Sequence, residues 1–90
     1  MNIKLECTCS ACPEQYFVLD ESNNEIGYIR FRFGELEVHP FRDGKPDWDT
    51  HLLSRSVNDD YLGVIPDEFR EEWLEESIQK IAKYYENNNN

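Results

Sequence analysis

The sequence predicts an α+β fold in which a three- to four-stranded antiparallel sheet, arranged as a β-meander, packs on one C-terminal α-helix. Two patterns lead to this prediction. Between Tyr16 and Phe41 the apolar residues recur at a spacing close to two, which is typical of strands that bury one face. From Pro66 onward they recur at the spacing of an amphipathic helix, so the helix and the sheet can share one core.

The length and the charge of the chain limit the classes of protein to which it can belong. The 90 residues suffice for one domain, and nine Lys plus Arg against nineteen Asp plus Glu give a formal net charge of −10. The few cations are scattered, whereas a nucleic-acid backbone or an anionic membrane binds clusters of them. The composition therefore argues against generic nucleic-acid binding and membrane binding.

The chain carries no sequence signal for a membrane or for secretion. No apolar run approaches the length of about 18 residues that a span needs, and the N-terminus lacks the pattern of a signal peptide. We therefore expect a cytoplasmic protein. The expected organisation is a Cys-containing N-terminal arm over residues 1–15, a single α+β domain over residues 16–86 and a disordered Asn tail over residues 87–90.

Three strands are predicted in order. The first covers Tyr16 to Leu19 and is followed by a polar loop that lasts to Glu25. The second runs from Ile26 to Phe33, and Gly34 marks the reversal into a third strand from Glu35 to Phe41.

The register of the second hairpin follows from side-chain chemistry. If the chain reverses at Phe33-Gly34, apolar residues face each other on one side and opposite charges on the other. A shift by one residue would break both sets at once. The expected pairs are Phe31 with Leu36, Ile29 with Val38, Arg30 with Glu37 and Arg32 with Glu35.

The segment after the third strand is less regular. Pro40 is expected to end that strand because proline lacks the N–H that a ladder needs. Arg42 to Asp47 has the composition of a loop. Trp48 to Val57 alternates only loosely, and it is compatible with a fourth strand or with an irregular excursion over the sheet.

The C-terminal helix has one apolar and one acidic face. Pro66 suits its first turn, where the missing N–H costs nothing. The predicted core stripe consists of Phe69, Trp73, Ile78, Ile81 and Tyr85, with Leu74 and Ala82 beside it. The opposite face carries a row of carboxylates, here called the acidic ridge, formed by Glu68, Glu71, Glu72, Glu75 and Glu76.

Two segments carry a resemblance to other proteins. They are Cys12-Pro13-Glu14-Gln15-Tyr16 and the stretch from Gly27 to Val38, which begins with the pattern Gly-Tyr-x-Arg-x-Arg-x-Gly. Together they resemble a group of small bacterial and phage proteins that share this start, this strand pair and a final helix. The resemblance implies a phage or prophage setting, and it implies no particular mechanism.

We therefore expect a non-catalytic protein that binds and modulates a host protein, with inhibition of a bacterial defence factor as the concrete hypothesis. One candidate surface is the acidic ridge, whose carboxylates repeat at roughly 5–6 Å and could imitate nucleic-acid phosphates. The alternative for the ridge is a solvated helix face that keeps a small domain soluble.

The second candidate surface is the sheet face opposite the predicted core. If Phe17 pairs with Tyr28 and Leu19 with Ile26, an aromatic and aliphatic patch results, suited to a protein partner or a homodimer. Alternatively, the cysteine arm or the segment from Trp48 to Val57 folds over this face. The candidate residues are Phe17, Leu19, Ile26, Tyr28, Arg30, Arg32 and His39.

Two further functions are alternatives. Cys7, Cys9 and Cys12 could bind zinc if His39, His51 or a carboxylate supplied a fourth ligand, or they could be reduced, partly buried thiols. Arg30 and Arg32 could hold a nucleotide-like signalling molecule at a dimer interface. Cys12 with one of the two histidines is the only plausible catalytic dyad, and no nucleophile turn or phosphate loop surrounds it, so an enzyme is not expected.

Overall fold

The computed structural model describes residues 3–9 and 13–88, and it has the predicted α+β architecture. The sheet contains six antiparallel strands, more than the three to four expected. β1 to β4 form a meander, and β5 and β6 both pair with β4, at its two ends. The elements are β1 Lys4–Cys9, β2 Glu14–Leu19, β3 Glu25–Arg32, β4 Glu35–Arg42, β5 Lys45–Pro46, β6 Leu53–Ser56 and α1 Asp67–Asn88.

Two of the additional strands come from segments that the sequence left without a definite structure. Lys4–Cys9, expected in the N-terminal arm, pairs with β2 as an edge strand. The second half of the Trp48 to Val57 segment forms β6, while its first half crosses the sheet without regular structure. Asn87 and Asn88, expected in the disordered tail, belong to α1, and residues 89–90 lie outside the described part of the chain.

Pro40 does not end its strand, contrary to expectation, because β4 continues to Arg42. The carbonyl oxygen of Pro40 accepts a hydrogen bond of 2.8 Å from the N–H of Asp47, on the side away from β3. The N and O atoms of one strand residue point to the same side, so the proline nitrogen also faces away from β3. No β3–β4 ladder bond is therefore lost.

The predicted register of the β3–β4 hairpin is confirmed in all four pairs. In the first hairpin Phe17 does pair with Tyr28, but the pairing of Leu19 with Ile26 is wrong, since Leu19 lies opposite Glu25. A β-bulge makes Ile26 an extra residue at this point. Ile26 packs against the core cluster and therefore leaves the predicted sheet-face patch.

The β3–β4 turn places a bulky residue in the left-handed backbone region. Phe33 has a φ of 53° and Gly34 one of 75°, and positive φ at both central residues is the signature of a two-residue type I′ turn. Gly34 is required for a second reason, because a Cβ there would lie 2.2 Å from the carbonyl oxygen of Asp59. Phe33 remains 67% exposed.

The core lies between the sheet and one stripe of α1. Residues at intervals of four along the helix face the sheet, and Ser77 occupies the middle of this row with its hydroxyl donating to the Trp73 carbonyl at 2.7 Å. Gly27 of β3 lets the helix approach closely, since a Cβ there would meet Ile81 Cδ1 at 2.4 Å. The buried cluster consists of Val18, Ile29, Phe31, Leu36, Val38, Leu53, Ile65, Trp73 and Ile81.

A buried carboxylate joins the sheet to the start of the helix. Glu14 is 1% exposed, and its carboxylate accepts hydrogen bonds from Arg70 Nε at 2.9 Å and from the N–H of Ile65 at 2.9 Å. The Tyr16 hydroxyl also donates to it, and Arg70 pairs in addition with Asp67. We refer to these side chains as the Glu14 cluster.

Hydrogen bonds and charge keep the Glu14 carboxyl group ionised. Burial by itself raises the pKa of Glu14, but the hydrogen bonds from Arg70, Tyr16 and Ile65 outweigh it and leave that pKa below the ordinary value. Burial and the bond to Glu14 raise the pKa of Tyr16, so the phenol keeps its proton as a donor. The cluster therefore contains a carboxylate, a guanidinium and a neutral phenol at neutral pH.

The other end of α1 is tied to the sheet by a tyrosine. The Tyr85 hydroxyl donates to the Ile26 carbonyl at 2.7 Å and accepts from the N–H of Phe41 at 3.2 Å. Burial raises the pKa of Tyr85, which keeps this donor protonated.

Within residues 3–9 and 13–88 no helix has the length and apolar character needed to cross a membrane.

Replacing Glu14 by Gln is expected to lower the free energy of unfolding by about 2 kcal/mol at pH 7, because Arg70 loses a charged, desolvated partner. The folded pKa of Glu14 is lowered, so its stabilisation is present above the ordinary value of 4.5 and is lost as the pH falls through the folded pKa. Urea unfolding of both proteins should show the difference shrinking below about pH 4.5.

Glu76→Gln is the matched control, because Glu76 pairs with Arg55 at a more exposed site. It should cost less than about 1 kcal/mol. An equal loss in both variants, or a Glu14→Gln effect that does not change with pH, would contradict the role given to the Glu14 cluster.

Phe33→Asn is expected to stabilise the protein by about 0.5–1 kcal/mol, because asparagine tolerates the left-handed region better than phenylalanine. Gly34→Ala in the same turn should destabilise it by at least about 2 kcal/mol, through its positive φ and the contact with Asp59. Denaturant midpoints measure both effects. A loss of stability in Phe33→Asn would show that the aromatic ring stabilises this turn.

Candidate binding cleft on the open sheet face

The sheet face opposite α1 is here called the open face. Strand alternation and the confirmed register place Tyr28, Arg30 and Arg32 of β3 on it. Glu37 and His39 of β4 lie beside them, because they pair with Arg30 and Tyr28 respectively. The single helix of the described residues packs on the other face, so it does not cover these side chains.

The cover is the irregular segment of residues 47–52. The N–H of Asp47 donates to the Pro40 carbonyl, and the N–H of Leu52 donates to the Val38 carbonyl, both at 2.8 Å. Trp48 then lies edge-on to the Tyr28 ring, with centroids 5.4 Å apart. Of the alternatives that the sequence left open for the open face, partial covering by the segment that begins at Trp48 is the one observed.

His39 is held beneath this cover by its backbone contacts. The side chain is 1% exposed, and Nδ1 lies 2.9 Å from the Thr50 carbonyl oxygen and 3.2 Å from that of Asp47. Carbonyl oxygens only accept hydrogen bonds, so Nδ1 carries the proton. Nε2 is buried and has no hydrogen-bond partner among the described residues.

Arg30 and Glu37 form the polar floor next to His39. Arg30 Nη2 donates to Glu37 Oε2 at 2.7 Å, and the guanidinium lies 5.1 Å from the Trp48 ring centroid. Arg30 Nε is buried and, among the described residues, has no partner either. Burial raises the pKa of Glu37, but Arg30 and, after it, His39 outweigh burial and leave that pKa below the ordinary value, so the group is a carboxylate.

These side chains line a cleft with a volume of about 390 Å³. A second hollow of about 530 Å³ adjoins it and shares Arg30 and Trp48. Trp48 is 49% exposed between the two. The lining residues of the first hollow, here called the His39 cleft, are Arg30, Arg32, Glu37, His39, Trp48 and His51.

The His39 cleft is positively charged within an acidic protein. Two arginines face one carboxylate, and His51 lies against His39 with ring centroids 4.7 Å apart. Glu37 Oε2 is 3.6 Å from His39 Nε2, too far for a hydrogen bond. The geometry therefore presents two buried atoms that lack hydrogen-bond partners among the described residues, Nε2 of His39 and Nε of Arg30.

The structure keeps most residues of the predicted sheet-face patch on the open face and moves Ile26 away from it. Phe17 stays on the open face near Tyr28 and Phe41, with ring centroids 5.8 and 5.9 Å away. Ile26 packs in the core, while Tyr28 and His39 are buried beneath Trp48. The sequence analysis did not identify Trp48 and His51 as cleft residues. The only sign of their role in the sequence is that an aromatic residue and a histidine occur together in an irregular segment.

The acidic ridge is shorter than predicted. Glu68, Glu71, Glu72 and Glu75 are exposed, whereas Glu76 is half-buried. Arg55 of β6 donates to the Glu76 carboxylate at 2.6 Å and so neutralises it. The remaining four carboxylates form a solvated face, and no buried polar group lies among them.

The proposed zinc ligands fall largely outside the described residues. Cys7 is exposed in β1, while Cys12 and the side chain of Cys9 are not described. His39 lies on β4, three strands from β1, or about 14 Å at the usual strand spacing, so it does not complete a site with Cys7. The described residues contain no cluster of three His, Cys, Asp or Glu side chains able to hold a metal.

His39 is expected to have its proton on Nδ1 in the neutral form of the ring, because two carbonyl oxygens accept from that atom. Long-range ¹H–¹⁵N correlation spectra distinguish the two nitrogens, and the exposed His51 provides the reference within the same spectrum. A proton on Nε2 of neutral His39 would contradict the contacts with Asp47 and Thr50.

The chain matches no protein-family model, no curated protein and no solved structure. The resemblance of its Cys-Pro-Glu-Gln-Tyr start and its strand pair to small bacterial and phage proteins stays a prediction. Functional assignment therefore depends on the geometry of the open face.

Proposed function

We propose that this protein is a non-catalytic binding protein and that the open face, at Trp48 and the His39 cleft, is its contact surface. The observation that carries this proposal is a half-exposed Trp48 between two hollows, with Arg30 and Arg32 beside it. Tryptophan, tyrosine and arginine are the residue types that dominate binding energy at protein interfaces. This surface therefore has the composition of a contact centre.

Binding suits the cleft better than nucleophilic catalysis. The six described residues that line it include no serine, threonine, cysteine or lysine that could attack a substrate. Glu37 is engaged by Arg30, and His39 has no nucleophile to activate within hydrogen-bond distance among the described residues. These groups can orient a ligand.

For the partner we propose a protein of a bacterial host, which this chain inhibits by occupying its surface; a defence factor is the first candidate. The resemblance to small bacterial and phage proteins supports this choice. Because the binding surface is mixed aromatic and cationic, we expect binding to weaken only moderately with salt.

Mimicry of nucleic acid by the acidic ridge has less support, since Arg55 neutralises Glu76 and shortens the row. The two surfaces lie on opposite sides of the sheet. Their substitutions can therefore be tested separately in one experiment.

Trp48→Ala is expected to weaken partner binding about tenfold or more, because a half-exposed aromatic side chain leaves the centre of the contact. The immobilised full-length chain captures the partner from a bacterial lysate at low and high salt, and the affinity of the isolated partner is then measured for each variant. Arg32→Glu, at an exposed position, should also weaken binding.

The control is the double variant Glu72→Lys with Glu75→Lys, which should bind as the wild type does. Loss of binding in this control, together with full binding by Trp48→Ala and Arg32→Glu, would overturn the proposal in favour of the acidic ridge. Circular dichroism and melting curves confirm that each variant folds.

A further inference from the structure

We propose that the His39 cleft binds a phosphomonoester group, held between His39 Nε2, Arg30 Nε and the Arg32 guanidinium. The inference rests on the proposed function to the extent that it takes the open face as the binding surface. It adds the chemical class of the group that this surface recognises.

The first support is the pair of unpaired polar atoms. His39 Nε2 and Arg30 Nε are both buried, and neither has a hydrogen-bond partner among the described residues. Buried polar atoms in native proteins are nearly always paired, so exceptions need a cause. Both side chains line the same cleft, which points to one ligand that satisfies them together.

The second support is the complementary chemistry of these atoms. With the proton on Nδ1, His39 Nε2 accepts a hydrogen bond in the neutral ring and donates one in the protonated ring, whereas Arg30 Nε needs an acceptor in either case. A phosphomonoester suits both states of the ring, because its singly protonated form, present around its second pKa of about 6, donates a P–OH to a neutral ring, and its other oxygens accept from Arg30 Nε and from a protonated ring. Carboxylate and sulfate offer acceptors alone at neutral pH, and an ammonium group offers donors alone.

Charge in the cleft favours the same class. Arg30 and Arg32 bring two positive charges against the single carboxylate of Glu37. The hydrogen bond of 2.7 Å from Arg30 Nη2 keeps Glu37 engaged and orients the guanidinium, whose Nε is left for the ligand. Arg32 is exposed and has no ion pair among the described residues, so it can move onto a bound oxyanion.

The size of the cleft leaves room for the group that carries the phosphate. Its volume of about 390 Å³ exceeds that of one phosphate, and the exposed part of Trp48 forms one wall. A nucleoside monophosphate could place its base on this ring, and a phosphorylated side chain of a protein could lie across it. The phosphomonoester is common to both sources.

The decisive experiment is a titration of the full chain with inorganic phosphate near pH 7.5, followed by calorimetry and by ¹H–¹⁵N spectra, at constant ionic strength. At this pH an ordinary imidazole is mostly neutral, and inorganic phosphate still carries a P–OH while sulfate has the same charge and no donor. We expect saturable binding at one site that shifts the Arg30 and His39 side-chain resonances. Sulfate should bind about tenfold more weakly, because it lacks the donor for Nε2. No saturation, or sulfate binding as tight as phosphate, would overturn the inference.

Variants locate the site. Arg32→Gln changes an exposed residue and should weaken phosphate binding about tenfold without loss of folding. His39→Gln, if it folds, should weaken binding by a similar factor. The matched control is Arg55→Gln, an arginine on β6 outside the cleft, which should bind as the wild type does. Equal binding by Arg32→Gln and the wild type, or an equal loss in Arg55→Gln, would overturn the assignment.

Two ligands distinguish the sources. If adenosine monophosphate binds more tightly than inorganic phosphate, and if Trp48→Ala removes this gain in affinity, the ligand is a nucleotide. If O-phosphoserine binds more tightly than inorganic phosphate and adenosine monophosphate does not, the ligand is a phosphorylated side chain. Protein capture that depends on Trp48 without phosphate binding overturns this inference and leaves the proposed function intact. Phosphate binding without such capture overturns the proposed partner instead.

Discussion

The buried carboxylate of Glu14 is the constraint on which the arrangement of the molecule depends. It lies on β2, and its partners come from Ile65, before the helix, and from Arg70, within the first turns of α1. An ion removed from water is stable only when its charged and hydrogen-bonding partners are in place. The helix must therefore begin close to the first residue of β2, and Tyr85 holds the other end of the helix near β3 and β4.

The position of the helix leaves the opposite sheet face without a second layer. The cover over that face is short, and its contacts with the backbone of β4 hold it in place. It buries His39 and Tyr28 but leaves Trp48 half-exposed, and two polar atoms find no hydrogen-bond partner in the described part of the chain. The candidate site is thus a consequence of how this small domain completes its core.

Charge is distributed unevenly between the two sides of the sheet. α1 carries seven carboxylates and only three basic residues, whereas the arginines of β3 face the open side. At physiological ionic strength exposed charges are screened beyond about 8 Å, so the local charge of the His39 cleft matters more to a ligand than the net charge does. The net charge of −10 is therefore compatible with an anion site.

Local patterns in the sequence determined the fold class, the helix and the β3–β4 register, because the turn there is short and each pair needs residues close in the chain. Other features depend on residues far apart. Glu14 meets Arg70 from 56 positions away, the β-bulge turns Ile26 into the core, and residues 47–52 cover His39. Only the tertiary structure decided these, since spacing reports which face a side chain occupies and not which distant segment packs on that face.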